Sequence, residues 1–149
     1  MVKKDKLATE RKYLKILGLV IMALGLISAI FGVFCMTGAI PEDVVRKALE
    51  NNPEILKHPI ETIRIIYGAG IVIAGVLSFI TGLVIKSASK PDNKTTFALV
   101  LSIFNIITGA TALFSDSDMG TKINSVISVT AFVLAFMAIL RIRRVEEED

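Results

Sequence analysis

The chain has no tryptophan, one cysteine (Cys35) and one histidine (His58) among its 149 residues. A lone cysteine excludes an intrachain disulfide and leaves the redox compartment open. A lone histidine with no second histidine or cysteine beside it makes no metal-ligand cluster, and no cofactor is expected. Charge is also scarce: 21% of residues are charged, against about 25% in ordinary soluble domains. No Asp, Glu, Lys, Arg or His falls within four blocks, roughly 16–36, 65–85, 97–114 and 123–140. Proton relays, ion pathways and coupled pumps place such residues at membrane depth, so their absence counts against a secondary transporter. No nucleophile–base pair, phosphate-binding loop or ligand cluster is recognisable, and the expectation is a protein that is not an enzyme.

What is present is oil. Hydrophobic residues make up 53% of the chain, with a mean hydropathy of +0.66. Each of the four blocks reaches the roughly 18 apolar residues at which a segment reads as a membrane-crossing helix. A water-facing bundle helix would carry a polar stripe, and these carry none. The expected fold is all-α: a polytopic membrane protein with four transmembrane helices in an up-down antiparallel bundle. The spans run about 14–36, 62–85, 95–114 and 122–141. The first apolar run is longer than the roughly 7–15 residues of a signal-peptide core, and it is taken as a retained span.

Charge sets the expected orientation. With both termini cytoplasmic, segments 1–15, 86–94 and 141–149 hold twelve of the Lys and Arg residues, and the outer segments 37–64 and 115–122 hold five. The positive-inside rule counts these residues alone, so both termini belong inside a multi-pass cell-membrane protein. The net charge of +3 follows this topology, and no nucleic-acid partner is expected. The sequon at Asn93 falls on the inner side and stays unmodified.

The outer segment 37–61 has the most internal pattern. From Pro41 to Glu50 it reads as a short amphipathic helix, with proline in the first turn and acids near the positive end of the dipole. Val44, Val45, Ala48 and Leu49 share one face. Asn52-Pro53-Glu54 signals a second short turn. The pair should lie on the membrane surface or lid the bundle. The tail 145–149 reads as a solvated, frayed acidic end.

Glycine recurs every seven residues at Gly18, Gly25 and Gly32, and again at Gly68, Gly75 and Gly82. A shift of fifty residues overlays the two stretches as G-x-x-I-x-x-x-G-x-x-S-x-I-x-G, which fits either a duplication or one packing requirement met twice. Seven residues are almost two helical turns, so each set forms one slowly drifting stripe, widened by Ser28 and Ser78. Small residues let membrane helices approach closely. The expectation is an antiparallel pair packed through these positions; a hinge, or a face turned to another protomer, stays open.

Asn105 is the most polar side chain at mid-span. It reads as an interhelical hydrogen bond or, alternatively, with Thr108 and Ser128, as the lining of an oligomeric permeation path. Asp116 and Asp118 alternate before Gly120 but lack the further acids of a calcium loop, so a capped turn is expected. Cys35 reads as a small apolar filler.

Four spans, an amphipathic outer segment and short remaining turns resemble many small uncharacterised bacterial membrane proteins, across nearly the whole chain and in layout alone. Small multidrug exporters are similar in span number but carry a glutamate in span 1 that has no counterpart here. Tetraspanins and claudins need extracellular cysteine pairs or tryptophan signatures, also missing. The missing intramembrane charges together with the glycine packing surfaces point to action by association, as an accessory subunit, scaffold or protective factor with a protein partner or a second copy in the bilayer. The alternative is a channel subunit.

Overall fold

In a computed structural model, residues 2–91, 95–114 and 119–147 are described. Among them the chain is helical and has no strand. The helices are α1 (Val2–Met36), α2 (Glu42–Ala48), α3 (Pro53–Leu56), α4 (Ile60–Ala88), α5 (Thr96–Phe114) and α6 (Met119–Glu147). Three of them contain stretches long and apolar enough to cross a membrane: Leu7–Met36, Ile60–Ala88 and Lys122–Glu147. The apolar part of α5, Thr96–Thr111, is shorter. The loop bearing Asp116 and Asp118, the sequon at Asn93 and the last two residues of the acidic tail lie outside the described residues.

Two helices extend beyond the expected boundaries. α1 starts twelve residues before the predicted span and is 35 residues long, about 52 Å at 1.5 Å per residue. That exceeds a hydrocarbon core of about 30 Å. α6 stays helical through Glu147, where a frayed tail was expected. Both extensions have one cause. Arg11 pairs with Glu146, and Arg141 pairs with Glu10 at 3.0 Å, so each helix end has a partner across the gap.

α1 and α4 form a tight antiparallel hairpin. α6 packs on α1, and α5 packs on α6 while touching α4 lightly. The main core lies toward the end that carries both chain termini. There Leu14, Ile85, Ala98, Ala135, Ile139 and Ile142 are fully buried. At the opposite end a second cluster of Val45, Leu49 and Ile63 joins α2 to α4, backed by Ile40, Ile55, Leu56, Ile60 and Tyr67.

The α1–α2 connection begins with a glycine in the left-handed region, Gly38 at φ +80°. Ala39 N–H donates to Phe34 O and Gly38 N–H to Cys35 O, the pair of bonds that closes a helix at such a glycine. Arg64 of α4 then donates to Ile40 O at 3.2 Å, tying the turn to the hairpin. In α2, Val45 and Leu49 are buried and Ala48 half-buried. Val44, expected on the same face, is 47% exposed at its edge.

Outside these cores the surface is oily. Ile27, Ile73, Phe104 and Ile107 are each more than 60% exposed. Apolar residues spread around helices in this way are what hydrocarbon solvent permits and water opposes.

Candidate functional site

The glycines position everything else. Gly18 faces Gly82, Gly25 faces Gly75 and Gly32 faces Gly68. A Cβ at Gly25 would lie 2.6 Å from Gly75 O and 2.5 Å from Phe79 N, and a Cβ at Gly75 would lie 2.6 Å from Gly25 O and 2.5 Å from Ala29 N. The outer pairs repeat this, with Gly82 O 2.8 Å from a Cβ at Gly18 and Gly68 O 2.7 Å from one at Gly32. The obstructing atoms are backbone, which cannot rotate aside. The hydrogen that occupies the Cβ position is instead directed at the opposite carbonyl, the arrangement of a Cα–H···O contact between helices.

These contacts obey a two-fold relation. Gly25 meets Phe79 as Gly75 meets Ala29; Gly32 meets Val72 as Gly82 meets Met22; Gly18 meets Lys86 as Gly68 meets Met36. Every mate is its counterpart shifted by fifty residues, so the sequence echo becomes a local dyad through the Gly25–Gly75 contact. In a hairpin that crosses a bilayer, such an axis lies in the membrane plane, as in inverted repeats. Gly70, outside the repeat, has nothing within 4 Å of its Cβ position.

Beside the dyad the two hairpins part. α6 leaves α1 and α4 above Phe132 and opens a cleft of about 660 Å³ between them, roofed by Ala48 of α2. Below, Phe132, Ala135 and Ile139 are packed to between 0 and 4% exposure, so within one chain the cleft is blind. Its walls are apolar except for Ser28 of α1, Ser78 of α4, Asn124 and Ser128 of α6, and the edge of Tyr67. Among the described residues no charged side chain lines it.

Several hydroxyls elsewhere in the helices are satisfied locally. Thr81 donates to Leu77 O, Ser102 to Ala98 O, Thr108 to Phe104 O, Thr111 to Ile107 O and Thr130 to Val126 O, each at 2.7–2.8 Å. Asn105 does likewise, its amide donating to Leu101 O at 2.8 Å. Ser28, Ser78, Asn124 and Ser128 make no side-chain hydrogen bond among the described residues. Ser28, Ser78 and Ser128 are half-buried and Asn124 is exposed, so the four polar groups are open to a molecule that enters the cleft.

The structure therefore gathers Ser28, Ser78 and Ser128, which the sequence named under two different headings. It leaves Asn105 and Thr108 apart on α5: neither lines the cleft, and Thr108 is exposed. Asn124 was missed. Its signal was a helical one, four residues before Ser128 on the same face. His58 is exposed and Cys35 fully buried. Among the described residues no group of three His, Cys, Asp or Glu comes together.

A second polar feature closes the opposite end. The Arg11 side chain is 11% exposed and joins three helices: its Nη1 donates to Ser89 O at 3.3 Å, just past the last turn of α4, and its Nη2 pairs with Glu146 of α6. A cation at a helix C-terminus also meets the negative end of the dipole. No protein-family model matches the chain, and neither a curated protein nor a solved structure shows detectable similarity to it.

Proposed function

We propose that the chain is a four-span integral protein of the cell membrane that works by binding within the bilayer rather than by turnover. In this reading it is an accessory subunit, scaffold or protective factor, with a protein partner or a second copy of itself, both termini cytoplasmic and α2–α3 outside. α5 is the fourth span: its 19 residues rise about 28 Å, close to a hydrocarbon core of about 30 Å.

One observation carries the reading. The glycine seam brings α1 and α4 into backbone contact along its whole length, which makes the hairpin a stiff platform rather than a gate. Around it the apolar faces of α4, α5 and α6 stay open to lipid or to other helices. A permeation path is supported less well, because the cleft is blind and Asn105 and Thr108 stand outside it.

Reporter fusions after residues 91, 118 and 147 test the topology, with cytoplasmic, outer and cytoplasmic signals expected. Purification in mild detergent with in-membrane cross-linking tests the mode of action. An oligomer or a recurrent companion is expected; a solitary monomer under both conditions overturns the association reading.

A further inference from the structure

We propose that the cleft between the α1–α4 hairpin and α6 is a binding site for a neutral lipid whose hydrogen-bonding oxygens lie deep in the bilayer. Free diacylglycerols and isoprenoid quinones share that chemistry. The inference rests on the membrane reading above and on nothing in the association reading.

Size is the first argument. The cleft measures about 660 Å³, within the roughly 300–1,000 Å³ of small-molecule sites, which combine apolar walls with a few convergent polar groups. Polarity is the second. Ser28, Ser78, Ser128 and Asn124 arrive from three helices, and they are the cleft's unpaired hydrogen-bonding side chains among the described residues. Hydroxyls both donate and accept, and the amide does both, so they suit hydroxyl or carbonyl oxygens. Charge is the third. Among the described residues no charged side chain lines the walls, so a phosphate or ammonium placed there would meet no counter-charge from them at a depth where one is required.

Depth separates the candidates further. Ser28 and Ser78 each lie three residues from the Gly25–Gly75 centre of the hairpin, about 4–5 Å along the axis. Phosphodiester headgroups sit at the membrane surface, whereas an uncharged head can sink to this level. Ile27, Phe31 and Asn124 line the cleft and are themselves exposed, so in a hairpin that crosses the bilayer such a molecule can enter past them from the hydrocarbon.

The test uses the full chain in phospholipid nanodiscs with two photoreactive probes, a diazirine diacylglycerol and a diazirine quinone with a short isoprenoid tail. At least one probe should label peptides containing Ser28, Ser78 or Ser128, and the matching unlabelled lipid should compete while phosphatidylglycerol does not. The productive probe identifies the head chemistry. Ser128→Leu, which fills the cleft, should cut labelling at least tenfold. Ser128→Ala, which keeps the fold and removes one hydroxyl, should cut it about threefold. Thr108→Leu on the exposed face of α5 should leave it unchanged. Labelling spread over exposed positions such as Ile73 and Phe104, or equal competition by phosphatidylglycerol, overturns the site. Release of the protein from membranes by alkaline carbonate would instead overturn the bilayer premise, so the two failures are distinguishable.

Discussion

Gly25 and Gly75 face each other so closely that a Cβ on either would stand 2.6 Å from the other's carbonyl oxygen. The contact is reciprocal, sits at the middle glycine of each stripe and has no side chain that could yield. Overpacking an ordinary core costs about 1–3 kcal/mol because neighbours shift. Here two backbones must separate. Gly75→Ala should lower stability by about 2 kcal/mol or more in denaturant titrations of the detergent-solubilised protein, and Gly75→Leu should abolish the folded form. Gly70→Ala, five residues away in open space, should be neutral or slightly stabilising. Equal behaviour of Gly70 and Gly75 variants would remove the seam as a determinant.

The two ion pairs at the terminal end should differ in weight. Arg141 is 61% exposed, and exposed pairs contribute about 0–1 kcal/mol. Arg11 is nearly covered and holds both Ser89 O and Glu146. Arg11→Ala should therefore cost more, about 1–2 kcal/mol, since it removes a covered side chain that holds a helix-end carbonyl as well as Glu146. Arg141→Ala should cost under about 1 kcal/mol. Unfolding titrations at low and high salt give both values, and only the Arg141 effect should fade with salt.

Asn105 donates to a carbonyl one turn back in its own helix. Its replacement by alanine removes donor and need together, so the change should be within about 1 kcal/mol. If Asn105→Ala alters a conductance or an oligomer distribution, the side chain faces a path or a partner after all.

The outer lid gives a paired test. Val45 is 1% exposed and Val44 is 47% exposed. Val45→Asp buries an unpaired charge and should release α2 from α4, read as faster proteolysis between residues 37 and 61. Val44→Asp should leave the digestion pattern unchanged.

Helix positions were legible because apolar residues fill whole turns and polar ones end them. Even the pairing of α1 with α4 could be anticipated from a seven-residue glycine interval. The cleft could not. Ser28, Ser78 and Ser128 share no local pattern that distinguishes them from Ser102, which bonds to its own helix. The difference lies in where α6 diverges from α1, a property of packing between distant segments. Glu10 and Arg141 pair across 131 positions, and nothing near either one names the other. The fourth expected span is the one the structure shortens: the apolar part of α5, Thr96–Thr111, is shorter than the other three apolar stretches.

The dyad at Gly25 and Gly75 also governs which changes in length the chain can bear. One residue added between Gly18 and Gly32 would turn everything beyond it by about 100° and point later glycines away from their mates. No single compensating edit in α4 restores a meshing that depends on both rods at once. Segment 37–61 meets no such register condition and can change length wherever the contacts of Ile40, Val45 and Leu49 with α4 are kept. Size variation among descendants of this chain should therefore concentrate in the outer loop, with the spacing of the six glycines kept like the teeth of a zip.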